Sequence, residues 1–126
     1  MTGPEAKALL KKRRAYRDGH WAELVAAALL RLKGWRILHR RFKTPVGEID
    51  IIARRRNRLA FVEVKRRATR SAALEAITPK ARERIARAAS WYIGKKPDLA
   101  NMDLQFDVVA LAPGRLPCHI KNAWTL

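Results

Sequence analysis

Gly47-Glu48-Ile49-Asp50-Ile51-Ile52-Ala53, then Arg54 to Arg58, then Leu59-Ala60-Phe61-Val62-Glu63-Val64-Lys65 is the stretch that decides the fold. It reads as two apolar, β-prone strands joined by a tight polar turn. Side chains alternate faces along a strand, so Leu59, Phe61, Glu63 and Lys65 share one face, and Glu48, Asp50 and Ile52 share another. An even-numbered turn centred on Arg56-Asn57, with Asn57 at positive φ, pairs residue 55 with 58 and 54 with 59. Counting outward sets Asp50 directly across from Glu63. Opposed residues have Cβ atoms about 4.5–5.5 Å apart, where like charges destabilise a sheet. Two carboxylates held that way need a counter-charge, and a divalent cation is the simplest one. Lys65 stands one pleat further along. The pattern is the outline of a metal-dependent phosphodiesterase site.

A solvated edge hairpin is the plainer reading, since most Glu-x-Lys pairs are surface features. The charge inventory weighs against it. The chain has 28 Lys and Arg against 11 Asp and Glu, a net charge of +17. Surface ion pairing would put the scarce acids among the basic helices. Asp50 and Glu63 stand instead inside the most apolar stretches, where a lone carboxylate is costly.

The remaining composition sets limits. A chain of 126 residues suits one domain with a real core, and 48% hydrophobic content argues against global disorder. The longest apolar run, Leu24 to Leu30, is too short for a membrane span. No signal-peptide pattern follows the basic start, so a cytoplasmic location is expected. A single cysteine, Cys118, excludes an internal disulfide framework. His20, His39 and His119 lack ligand spacing, which argues against zinc. So basic a chain is expected to meet nucleic acid or an anionic membrane. Its helices carry mostly Ala on their apolar faces, which suits packing on a sheet and favours nucleic acid. Binding should then weaken steeply with salt.

Outward from the hairpin the order is α/β. Residues 1–14 read as a basic leader carrying Lys7 and Lys11-Lys12-Arg13-Arg14, and residues 15–126 as the domain. A helix is expected from Asp18, its N-cap, to Lys33, stopped by Gly34. Its apolar stripe is Trp21, Leu24, Val25, Ala28, Leu29 and Leu32. Glu23 is enclosed by Ala26, Ala27 and Leu30, from where an acid can reach the sheet; an exposed helix acid fits equally well. A basic strand from Trp35 to Lys43 and the turn Thr44-Pro45-Val46-Gly47 precede the hairpin. Residues Arg66 to Ile77 read as a mobile connection or a short helix. Thr78-Pro79 opens a helix to Ile93, with Ala81, Ile85, Ala88 and Tyr92 inward and Lys80, Arg82, Arg84 and Arg87 outward. A strand from Leu104 to Leu111 and an edge strand through Cys118 to Ile120 complete the chain. The core order is αβββαβ, with a mixed sheet flanked by helices.

In that order, a helix bearing Glu23, an Asp before a hairpin, and then Glu-x-Lys resemble the PD-(D/E)xK nuclease superfamily. More closely, the chain resembles the YraN family of bacterial proteins, taken to be endonucleases related to archaeal Holliday-junction resolvases. The matching pieces are Gly19-His20-Trp21-Ala22-Glu23, Gly47-Glu48-Ile49-Asp50, Phe61-Val62-Glu63-Val64-Lys65, Thr78-Pro79-Lys80 and Phe106-Asp107-Val108-Val109, within residues 15–125. The resemblance implies a single restriction-endonuclease-like domain. It further implies Asp50 and Glu63 as ligands of Mg²⁺ or Mn²⁺, with the Val64 carbonyl as a third. Lys65 would then orient the attacking water and stabilise charge on the phosphate. Glu23 would be an additional helix acid holding metal or water, and Lys80 a basic residue beside the phosphate. The expected activity is structure-directed DNA hydrolysis, on branched or single-stranded DNA and compatible with a homodimer. The alternative is a nucleic-acid-binding protein whose retained site is weak or partner-dependent. Arg66, Arg67, Arg70, Lys80, Arg82, Arg84 and Arg87 are the expected phosphate contacts. No recognition helix is legible, so shape should outweigh sequence in binding.

Overall fold

A computed structural model describes residues 3–125, without the side chains of residues 8–19. Five strands form one mixed sheet in the order β1-β2-β3-β4-β5. They are β1 (Arg36–Thr44), β2 (Gly47–Arg55), β3 (Arg58–Arg66), β4 (Asp103–Leu111) and β5 (Cys118–Trp124). All neighbours are antiparallel except β3 and β4, which run parallel. That pair requires a crossover, supplied by α2 (Arg70–Glu75) and α3 (Pro79–Gly94). The architecture is a single α/β domain of the restriction-endonuclease-like kind, as the hairpin and the element order imply.

The first helix, α1, runs Gly3–Leu32, so it begins well before the expected start at Asp18. The side chains of Lys11, Lys12, Arg13, Arg14 and Asp18 lie outside the described residues, and with them the expected cap. Gly34 ends the helix at φ +91°, a left-handed conformation cheap only for glycine. The inward stripe also differs from expectation. Ala22, Ala26, Ala27 and Leu30 are buried, whereas Trp21 and Leu32 are 67% and 86% exposed. Small residues win the inward face because they let the helix backbone lie close on the sheet, and Glu23 is carried inward with them.

Each face of the sheet has its own core. On one, Ala26, Ala27 and Leu30 of α1 meet Trp35, Ile51, Ala53, Ala60, Val62 and Val109. On the other, Ile85, Ala88, Ala89 and Tyr92 of α3 pack on Ile49, Ile52, Leu59, Phe61, Phe106 and Val108. Thr78 caps α3 by accepting from the Ala81 N–H at 3.1 Å, with Pro79 at the first helical position, as the sequence indicates. Thr69 caps α2 in the same way, so the connection is a short helix. Among the described residues no helix is long and apolar enough to cross a membrane.

A polar cluster fastens α1 to the last two strands. Asp107 is fully buried. It accepts from Gln105 Nε2 at 3.0 and 2.9 Å, from the Asn122 N–H at 3.0 Å and from His119 Nε2 at 2.7 Å. Lys33 Nζ lies 2.7 Å from the other ring nitrogen, His119 Nδ1. An ammonium only donates and a carboxylate only accepts, so the ring must be neutral, with its proton on Nε2. The β4–β5 register shifts between Phe106 and Val108, and Asn122 there takes φ +49°, freeing its N–H for Asp107. Asp107→Ala would leave these donors buried without an acceptor and should cost about 3 kcal/mol. Urea unfolding checks this; a loss below about 1 kcal/mol would mean the cluster does not secure β5.

Candidate active site

The β2–β3 ladder follows the expected register, from Arg55↔Arg58 to Ile51↔Val62. The turn itself differs: Arg56, not Asn57, takes positive φ, at +54°. Both primed hairpin turns require positive φ at the first central residue, and that demand overrides the preference of asparagine. The simple face assignment also fails through Asp50. Ile49 and Ile52 pack in one core while Ile51 and Ala53 pack in the other. Strict alternation would have put Ile49 with Ile51. The slip falls where β1 passes Arg41, which lies between the pairs Arg40↔Ile51 and Phe42↔Ile49 and takes φ +50°. A left-handed residue there interrupts the pleat of β1, and β2 adjusts opposite it.

Beyond Ile51↔Val62, side chains take over from the main-chain ladder. Asp50 Oδ2 accepts from the Val64 N–H at 2.8 Å. In return, the Asp50 N–H serves the Glu63 carboxyl and favours its charged form. Each carboxyl is thereby tied to the other's strand. Glu63 is 8% exposed, and its Oε1 is buried with no hydrogen-bond partner. Burial, and then the charge of Asp50, push its pKa up to about 8 against an ordinary 4.5; Lys65 and Arg84 act in the opposite direction. Burial likewise raises Asp50, with Glu23 adding to the rise, while the Val64 N–H and Lys65 oppose it. The expected electrostatic conflict between the acids is present, but desolvation outweighs it.

Glu23 approaches from α1 and is engaged by Arg41, whose Nε lies 2.5 Å from Glu23 Oε2. Arg41 was not legible as a site residue; nothing in a strand of alternating cations distinguishes it. Arg84 of α3 lies across Gly47, where a Cβ would come within 2.8 Å of its Cγ. A glycine at that turn therefore lets Arg84 reach toward Glu63. Lys80, Arg87, Arg66 and Arg67 are exposed. Arg87 pairs with Glu83, and the Arg67 guanidinium donates to the Arg66 carbonyl at 2.6 Å. Arg82 departs from the expected phosphate row: its Nε donates to the Ile77 carbonyl at 3.1 Å and its guanidinium lies over Trp124.

The donors bear on which cation fits. No group of three His, Cys, Asp or Glu that could hold a metal forms among the described residues. Zinc would want such a closed set of nitrogen or sulfur ligands. Magnesium takes one or two carboxylates and keeps several waters, which suits Asp50 and Glu63. The unpartnered, buried Glu63 Oε1 is the acceptor that a cation would complete.

The raised pKa has a stability consequence. Between 4.5 and about 8, folded Glu63 holds a proton that the unfolded chain has released. Its contribution to stability therefore falls as pH rises through that window. Glu63→Gln, always neutral, should melt several degrees above the parent at pH 8 and level with it near pH 4. Thermal unfolding across a pH series in metal-free buffer measures the gap. A gap that does not widen with pH would remove Glu63 as the titrating group.

Residues 22–111 match the uncharacterised protein family UPF0102. A UPF0102 protein of Chelativorans sp. (strain BNC1) is 50% identical over 119 residues, covering 94% of this chain and 96% of that protein. Another, from Parvibaculum lavamentivorans, is 51% identical over 110 residues, covering 87% and 83%. A third, from Maricaulis maris, is 47% identical over 113 residues, covering 90% and 89%. With relatives this similar matched along nearly their whole length, the chain belongs to UPF0102, the YraN family that its hairpin motifs resemble.

Proposed function

We propose that the protein is a metal-dependent, structure-directed DNA endonuclease that hydrolyses phosphodiester bonds. The observation that carries this is the pair of buried carboxyls, Asp50 and Glu63, tied to each other's strands with a buried oxygen left unpartnered. A purely structural role would gain little from two raised, mutually repelling acids in an apolar sheet. Mg²⁺ or Mn²⁺, when bound by Asp50, Glu63 and the Val64 carbonyl, would lower the pKa of a water and neutralise charge on the phosphate.

The chain's own residues supply the rest. Asp50 and Glu63 act as ligands, and metal binding requires Glu63 to release the proton it holds at neutral pH. The Lys65 ammonium, whose charge already acts on both acids, stabilises negative charge growing on the phosphate and orients the nucleophile. Glu23 keeps Arg41 beside the site and leaves a third carboxylate within electrostatic reach of Asp50. Exposed Lys80, Arg84 and Arg87, with Arg66 and Arg67, offer cations to the backbone. The net charge of +17 favours a polyanionic substrate.

The protonated state of Glu63 also gives substance to a second reading, a nucleic-acid binder with a weak or partner-dependent site. At neutral pH the proton on Glu63 leaves the metal-free site short of the negative charge that its full ligand set would carry. Branched, flap, single-stranded and duplex DNA incubated with Mn²⁺ separate the two readings. The parent should cleave at least one branched or single-stranded form, and Asp50→Ala none. Cleavage that survives Asp50→Ala would exclude this site. Glu63→Gln should abolish cleavage while DNA affinity measured without metal stays level, because Glu63 already carries a proton at neutral pH. Loss of binding in a folded Glu63→Gln protein would contradict the assignment.

A thermal test needs no substrate. Mg²⁺ at about a hundred times its Kd should stabilise the parent by about 2.7 kcal/mol and Glu63→Gln far less. Equal stabilisation of both by calorimetry would place the cation elsewhere. For the backbone contacts, Lys80→Ala with Arg84→Ala should flatten the slope of log affinity against log salt by about 0.9 per contact on duplex DNA. An unchanged slope across a salt series would make that face of α3 a solvated surface only.

A further inference from the structure

The turn end of the β2–β3 hairpin carries a second charged feature, apart from the acid pair. Six residues separate Asp50 from Arg56, about 20 Å at about 3.3 Å per residue. A cavity of about 450 Å³ opens there, its wall including Arg55, Arg56, Arg58 and Lys121. No ion pair holds any of these four among the described residues. Asp103 is the one carboxylate on the wall, so the lining is cationic on balance.

Two further observations point to a ligand. Trp35 also lines the cavity and is 4% exposed, yet its indole Nε1 is buried without a hydrogen-bond partner. Buried donors are satisfied in nearly all native structures, so the missing acceptor should come from outside the chain. Gln105 forms another part of the wall and is 5% exposed, with its Nε2 committed to Asp107. Lys33 stands behind this wall, held on His119. Its pKa is lowered first by burial and then by Lys121, with Arg55 adding to the drop. A bound anion would offset the repulsion that these cations exert on Lys33.

We propose that this cavity is a phosphate-monoester pocket, taking the terminal phosphate of a nucleic-acid strand or of a mononucleotide. A monoester carries more charge than a diester and enters a recess end-on, whereas a diester is flanked by chain on both sides. The volume lies within the range of small-ligand pockets and admits one nucleotide-sized group. Arginines at Arg55 and Arg58 suit phosphate because the guanidinium presents paired donors. The reading goes beyond phosphodiester cleavage and does not depend on it, since its readout is binding.

The test compares one short single-stranded oligonucleotide with a 5′-phosphate and with a 5′-hydroxyl, by fluorescence anisotropy at fixed salt without divalent metal. The phosphorylated strand should bind about tenfold more tightly, about 1.4 kcal/mol. That preference should vanish in Arg55→Gln with Arg58→Gln. It should persist in Arg115→Gln, which removes an exposed cation elsewhere, and in Asp50→Ala, which disables the acid pair. Equal binding of the two strands, or a preference that survives Arg55→Gln with Arg58→Gln, overturns the proposal. Amide chemical shifts of the parent protein during titration with inorganic phosphate and with a mononucleotide read the site without any variant. Shifts at Arg56, Asn57, Arg58 and Lys121 support it, and their absence for both ligands and for the phosphorylated strand overturns it. Competition then distinguishes the sources. A mononucleotide that displaces the phosphorylated strand identifies a nucleotide pocket, and one that fails to displace it identifies a pocket for strand ends.

Discussion

Asp50 and Glu63 each hold a hydrogen bond from the opposite strand at the point where the β2–β3 ladder gives way to side chains. Other features of the site follow from keeping two carboxyls there. Burial that would exclude a lone acid is tolerated because each accepts a main-chain N–H, and because Lys65 lies near both. The helices divide the remaining charge. From one side α1 brings Glu23, matched by Arg41. From the other, α3 brings Arg84, admitted by the absence of a side chain at Gly47. A change that loosened either helix would alter the protonation of the pair as well as its position.

Much of this was readable from residues alone, for identifiable reasons. The register of β2 on β3 follows from a two-residue turn and period-2 apolar patterning, both local signals. Thr78-Pro79 marks the start of α3 because capping is written in two adjacent residues. The stripe of α1 was misread because hydropathy ranks Trp21 and Leu32 above alanine, whereas close approach of the helix to the sheet selects Ala22, Ala26 and Ala27. The slip at Asp50 depends on Arg41 taking a left-handed conformation one strand away, and no local pattern announces it. The Asp107–His119–Lys33 chain joins residues up to 86 positions apart. Its one sequence signal was an aspartate in the middle of an apolar strand, the same signal that marked Asp50.

The two ends of the β2–β3 hairpin carry opposite electrostatic characters. One end holds acids in a nearly water-free setting, and the other gathers cations around Trp35. A strand of nucleic acid meeting both would be drawn to the cationic end by long-range attraction. The acid end offers no comparable pull until its charge is neutralised by a cation. Orientation on the protein would then be set by the basic end, and chemistry by the acidic one.

The crossover between β3 and β4 has a kinetic consequence. The β2–β3 hairpin closes across two residues, whereas the parallel partner of β3 starts at Asp103, beyond both crossover helices. Short loops close far sooner than such crossovers, so Asp50, Glu63 and Lys65 are brought together while still in contact with water. The acids are then ordinary and ionised. Only the later docking of α1 and α3 seals them from solvent and draws a proton onto Glu63. Assembly of the domain at neutral pH is therefore accompanied by proton uptake at Glu63, and the speed of its final step should depend on the acidity of the medium.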